Sequence, residues 1–209
     1  MKIIIIYIVF IILIINNAKA ESDIGLSVGP VLKPSLIDNT LLWMTGSRIG
    51  VTFNQKYYLG ISLYGSTFDS YQPLVEDANY IIYPEMNINF ISLETEYNIS
   101  PNDEIFLSLS LNNGVSLSKF DIPYLEDPEG NLYNPPYKEN VINYFVEPGI
   151  SLNLNFKAFY KINIGLSYRY VFINNTAITN LIKDNTQFFL DNSYLNGINL
   201  NFAVRFGGF

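Results

Sequence analysis

The side chains best suited to chemistry are few. Arg48, Glu94, Glu96, Glu147, Arg169 and Arg205 are spread along the chain and include every arginine it has. Glu94 and Glu96 are two apart, and residues so spaced share one face of an extended strand. Paired carboxylates can act as acid and base in glycoside hydrolysis, but only around a sugar-sized cleft. The simpler chemistry is ion pairing, since one arginine fork can serve more than one carboxylate where charges must be buried together. Composition closes other routes. The 209 residues hold no His and no Cys. That excludes a Ser-His-Asp triad, His- or thiolate-ligated zinc, a Cys nucleophile and a disulfide scaffold. No catalytic residue, cofactor or metal site is read from the sequence. The run Glu126-Asp127-Pro128-Glu129-Gly130-Asn131 alternates oxygen ligands in the manner of a calcium loop. It lacks the rest of an EF-hand pattern, and Pro128 and Gly130 more simply mark a tight turn.

The elements that must position these charges alternate with period two. Ile24, Leu26 and Val28 oppose Gly25, Ser27 and Gly29; Ile105, Leu107, Leu109 and Leu111 oppose Phe106, Ser108, Ser110 and Asn112. The same alternation recurs around residues 48–53, 58–63, 91–97, 149–156, 162–167 and 197–206, giving eight segments. Each is roughly ten residues long, the length a tilted membrane β-strand needs. Connections alternate as well. Short turns are expected at 54–56, 98–103 and 157–159, and longer loops at 33–42, 69–85, 119–140 and 174–192. Short turns at one end and long loops at the other suit an outer-membrane barrel with periplasmic turns and extracellular loops. An even strand number places both chain termini on the periplasmic side.

One face of the segments is Ile, Leu, Val and Phe; the other carries Gly, Ser, Asn, Arg and Glu, with glycines at 25, 29, 46, 50, 60, 114, 149, 165 and 197. Strand glycines facing solvent only weaken a sheet, whereas a narrow lumen needs small residues beside Tyr58 and Arg205. The apolar face is therefore read as lipid-facing and the polar face as lumen-facing, with the six charged residues forming a lumen network. Aromatics bracket the apolar band: Trp43, Tyr144, Tyr168, Tyr170 and Phe172 at the loop ends, Phe53, Tyr57, Tyr97, Phe156, Phe159 and Tyr160 at the turn ends. Such girdles are the membrane-interface pattern.

Ahead of the strands, Lys2, the apolar run 3–15 and Ala18-Lys19-Ala20 make a secretory signal with a small-x-small cleavage site. Residues 1–20 are expected to be cleaved, leaving 21–209 as a single barrel domain. Without Lys2 and Lys19 the chain keeps 10 basic and 19 acidic groups, a net charge of −9. That balance argues against nucleic acid. The long loops collect twelve acids against four bases (Lys33, Lys119, Lys138 and Lys183), so the rim is expected to be acidic.

The chain resembles the small eight-stranded outer-membrane barrels of the OmpX and OmpA-barrel type, and among these the "outer membrane β-barrel domain" proteins of Bacteroidetes-like bacteria. The likeness lies in pattern across 21–209, and its most specific element is Phe202-Ala203-Val204-Arg205-Phe206-Gly207-Gly208-Phe209. This run resembles the C-terminal signal read by the barrel-insertion machinery, carried by Phe202, Val204, Phe206 and Phe209. Gly207-Gly208 breaks the parity between the last two phenylalanines, so which one is recognised stays open. The resemblance implies an exported all-β barrel in the bacterial outer membrane, probed in assembly by periplasmic chaperones. It implies a monomer, with outer-membrane lipid and a loop-bound extracellular ligand as partners; in contrast to OmpA, no peptidoglycan-binding domain is expected after the last strand. Small barrels of this kind that are enzymes resemble hydrolases with His in the site, and no position here can take that role. The leading expectation is a non-enzymatic envelope or surface-interaction protein. A small transporter or narrow pore with a charged lumen, and a soluble periplasmic lipocalin-like carrier, are the alternatives.

Overall fold

In the computed structural model, residues 24–37, 40–67, 75–76, 81–82, 85–101, 104–122, 125–126, 129–130, 132–133, 137–156, 159–172 and 195–207 are described. The expected signal peptide, the whole of the fourth loop expected at 174–192, and Phe209 lie outside them. Twelve strands follow in chain order: β1 Ile24–Ile37, β2 Thr40–Phe53, β3 Tyr57–Ser66, β4 Val75–Glu76, β5 Ile81–Ile82, β6 Glu85–Ile99, β7 Ile105–Ile122, β8 Leu125–Glu126, β9 Leu132–Tyr133, β10 Tyr137–Phe156, β11 Tyr160–Phe172 and β12 Gly197–Gly207. The eight long ones close into a barrel in the order β1-β12-β11-β10-β7-β6-β3-β2, and every pairing is antiparallel. Each segment that alternates in sequence lies in one barrel strand.

The register fixes the stagger. Gly25 pairs through Thr52, Tyr58, Glu96, Ser110, Gly149, Ser167 and Asn199 to Ser35, so one circuit advances β1 by ten residues. In an eight-stranded barrel that shear tilts the strands by about 40°. Sidedness follows the sequence parity. Ile24, Leu26, Val28, Leu109, Ile150, Leu166 and Leu200 point outward and are exposed, while Ser27, Glu96, Ser108, Asn153 and Asn199 are buried inside. The aromatics of the two girdles pair along the outer face: Tyr57 with Tyr97, Phe156 stacked on Tyr160, Tyr144 with Phe172, and Tyr170 edge-on to Phe172.

The turn between β2 and β3 is tight. Asn54 and Gln55 take left-handed φ of 50° and 56°, Lys56 N–H donates to the Phe53 carbonyl at 2.9 Å, and the Asn98 amide donates to the Gln55 carbonyl at 2.6 Å. The loop end differs from the sequence expectation. Residues 33–42 are not a long loop, because β1 runs to Ile37 and β2 starts at Thr40. Lys33 and Pro34 read as loop residues, yet Lys33 points into the lumen and Pro34 sits where the ladder to β12 is interrupted. The loops around 69–85 and 119–140 contribute β4, β5, β8 and β9, which form a separate four-stranded sheet. Of the twelve expected rim acids, the side chain of Glu129 alone is described, and it is exposed.

Candidate functional site

All six charged residues singled out in the sequence lie inside the barrel and are buried. They come from β2 (Arg48), β6 (Glu94, Glu96), β10 (Glu147), β11 (Arg169) and β12 (Arg205), so only closure brings them together. They form two groups rather than one network.

Glu96 is the centre of the group nearer the turns. It accepts from Arg48 at 3.3 Å and is also ion-paired with Arg205, while Arg48 donates to Glu94 at 2.8 Å. The Arg205 guanidinium lies 4.3 Å above the Tyr58 ring centre. Two glycines make room for that ring. A Cβ on Gly50 would stand 2.7 Å from Tyr58 Cζ, and one on Gly60 would stand 2.6 Å from the same atom. Lys161, also buried, lies 4.8 Å from the Phe106 ring centre.

The group nearer the loops is built on Glu147, and its cation, Lys33, is not among the six residues singled out in the sequence. Lys33 Nζ donates to Glu147 Oε1 at 2.8 Å, Ser167 donates to the same oxygen at 2.7 Å, and Tyr64 OH donates to Oε2 at 3.3 Å. The sequence expectation has Lys33 on the rim, at the start of the loop expected at 33–42. Its parity with Ser27 and Ser35 is the signal that would have placed it in the lumen. Arg169 makes no ion pair among the described residues. It donates to the Leu195 carbonyl at 3.2 Å, to Ser35 Oγ at 2.6 Å and to Asn199 Oδ1 at 3.2 Å, and stacks 4.3 Å from the Phe90 ring centre.

Uncharged pairs fill the gaps. Asn163 donates to Asn153 at 3.0 Å, Asn153 to Ser108 at 2.9 Å, and Ser62 and Ser92 are 2.6 Å apart. A cavity of about 20 Å³ remains among Arg48, Glu94, Glu96, Lys33 and Asn112. That volume and polarity suit roughly one bridging water. Several buried atoms around it, including Arg48 Nε and Nη2, Glu94 Oε2 and Glu96 Oε2, make no hydrogen bond within the described residues. Above the Glu147 group the lumen turns apolar. Ile37, Leu42, Met44, Tyr64, Ile88, Phe90, Val141, Phe145, Val171 and Leu195 form one buried cluster, with Phe90 between Tyr64 and Phe145. This apolar cap was not expected, although the parity of Phe145 with Glu147, and of Phe90 with Ser92, points it inward. Among the described residues, charges beneath and a cap above leave no sugar-sized cleft at Glu94 and Glu96. Of the proposed insertion-signal residues, Phe202 and Phe206 are exposed on the outer face, Val204 is half-exposed beside them, and Gly207 takes φ 142°.

A closed, staggered eight-stranded barrel with an apolar exterior, a charged interior and aromatic rings at both ends is the outer-membrane β-barrel fold. Known structures share it. The chain is similar to the N-terminal β-barrel domain of Pseudomonas aeruginosa OprF, at 13% identity over 90% of this chain and 99% of that one, with a TM-score of 0.50. It is also similar to a major outer membrane protein from Thermus thermophilus, at 11% identity over 88% of this chain and 99% of that one, with a TM-score of 0.59. At these identities the likeness is one of fold. No family model and no curated protein matches the chain.

Proposed function

We propose that this protein is a non-enzymatic integral barrel of the bacterial outer membrane, sealed through its lumen and presenting its long loops to the outside. The observation that carries the reading is the inverted sidedness of the barrel. Trp43 and Phe53 on β2, and Tyr160 and Tyr170 on β11, bound outward-facing stretches of ten residue steps. At a rise of about 3.3 Å and a tilt of about 40° these span about 25 Å, the height of the apolar band of outer-membrane barrels. Between those rings no charged side chain faces outward among the described residues, while eight charged side chains (Lys33, Arg48, Glu94, Glu96, Glu147, Lys161, Arg169 and Arg205) are buried inside. A soluble carrier of the lipocalin kind would have the opposite arrangement and a ligand cavity. Filled by ion pairs and capped by aromatics, the lumen suits a plug better than a pore, and the absence of His and Cys from the sequence agrees with a non-catalytic role.

Fractionation with heat-modifiable migration tests the reading. The unheated protein should run as a compact band from the outer-membrane fraction and shift on boiling. Recovery as a soluble periplasmic protein would overturn it.

A further inference from the structure

Proline has no backbone N–H, so it interrupts a strand ladder unless it lies at an edge or a bulge. A closed barrel has no edge, yet β1 carries Pro30 and Pro34. Both pair normally with β2, at Ser47 and Trp43. The β1–β12 ladder, by contrast, has no pair at residues 29–30 or at 33–34, between the pairs Val28–Phe206, Val31–Ala203, Leu32–Phe202 and Ser35–Asn199. One other barrel ladder is interrupted, once, at Pro148 in β10. The seam that joins the first strand to the last is thus the most broken of the eight. The backbones still approach closely there: a Cβ on Gly29 would collide with the Val204 carbonyl.

The outer face of the same seam holds a groove of about 340 Å³ walled by Pro30, Leu32, Thr45, Ile162, Phe202 and Val204. Pro30 and Thr45 are short where their neighbours are long, which makes the hollow. Its floor includes Val31 and Ala203, whose side chains are buried on the lumen side and also border the cavity there. The Thr45 hydroxyl accepts from Thr67 at 3.2 Å. The rest of the outward lining is apolar, so the groove suits a hydrocarbon tail rather than a headgroup. The volume falls in the range of roughly 300–1,000 Å³ seen for small-molecule sites.

We propose that the outer face of the β1–β12 seam is a binding site for a single acyl chain of a membrane lipid. The proposal rests on the outer-membrane reading, which makes the groove part of a lipid-covered belt. A two-fold dimer centred here would set hollow against hollow, because such interfaces use the same patch on both copies. A flexible chain fills a hollow that a second copy of the same hollow cannot.

The chain carries its own reporter. Trp43 is its single tryptophan and lies two residues from Thr45 on the same face of β2, about 7 Å away. The test titrates 9,10-dibromostearic acid into the full folded protein in maltoside micelles and follows Trp43 fluorescence. Quenching should saturate near one probe per barrel. Thr45→Phe and, independently, Ile162→Phe should fill the groove and weaken saturable quenching at least tenfold. Leu109→Phe, on the opposite side of the barrel, should leave it unchanged. Quenching that rises without saturation, or is identical in the groove-filling variants, overturns the proposal. So does a Thr45→Cys variant that crosslinks quantitatively to a second copy. Failure of the protein to fractionate with the outer membrane would defeat the parent reading instead, whatever the titration shows.

Discussion

Glu96 is the carboxylate on which the group nearer the turns depends. It is ion-paired with both Arg48 and Arg205, and it is the one carboxylate with which Arg205 pairs among the described residues. Glu96→Gln keeps the shape and removes the charge, leaving Arg205 buried without a counter-ion. Removing one partner of a buried pair costs roughly 3–5 kcal/mol, because the remaining charge stays desolvated. Glu94→Gln should cost less, since Arg48 retains Glu96. Arg169→Leu should be milder still, because Arg169 holds only neutral partners and its loss strands no carboxylate. The order is thus Glu96→Gln above Glu94→Gln above Arg169→Leu. It can be measured by urea unfolding of the protein folded into phospholipid vesicles, with gel migration reporting the folded fraction. Adding Arg205→Leu to Glu96→Gln should recover part of the loss, since the stranded charge is then gone. The reasoning is refuted if Glu96→Gln is no worse than Glu94→Gln, or if Arg205→Leu makes it worse still.

Replacing Leu109 or Leu200 by Arg should cost about 2–4 kcal/mol near the bilayer midplane, whereas small polar replacements of Ser110 or Asn201 should cost much less. Equal costs in the same unfolding assay would show the sidedness to be wrong. Deleting residues 207–209, or changing Phe206 and Phe209 together to Ala, should leave protein in the periplasm, and a normal membrane yield would falsify the insertion-signal reading. In planar bilayers the wild-type protein should show little steady conductance, and Glu94→Gln with Glu147→Gln should leak; large stable wild-type channels would favour a transporter. Gly60→Val should destabilise the barrel, because its Cβ would meet both the Tyr58 ring and the Ile49 carbonyl, the latter at 2.7 Å; an unchanged unfolding midpoint would remove the packing role given to that glycine.

Strand existence, face and order were legible because a half-buried strand writes its environment into alternate residues. Ile105, Leu107, Leu109 and Leu111 could be assigned outward, and Ser108 and Asn112 inward, without coordinates. The same parity placed Arg48, Glu94, Glu96, Glu147, Arg169 and Arg205 in the lumen. Strand ends were less legible. The loop expected at 33–42 took in Pro34, whose tolerance within β1 depends on which neighbour its missing N–H faces. The apolar cap was missed for a related reason: Ile88, Phe90, Val141 and Phe145 put apolar residues on the inner face, so the contrast between faces that marks a membrane strand fades there.

Taken alone, the sequence determined an eight-segment alternating chain with an oily face, a charged face, aromatic boundaries and no nucleophile chemistry based on His or Cys. Those properties belong to single residues and to neighbours one or two positions apart, where periodicity acts. Partner choice belonged to the tertiary structure. Glu147 takes Lys33 rather than Arg169, Glu96 is shared by two arginines, and the seam opens a groove at Pro30, because a shear of ten residues sets which side chains from distant strands reach the same height in the lumen. No local pattern encodes that stagger; it arises only when the eighth strand closes on the first.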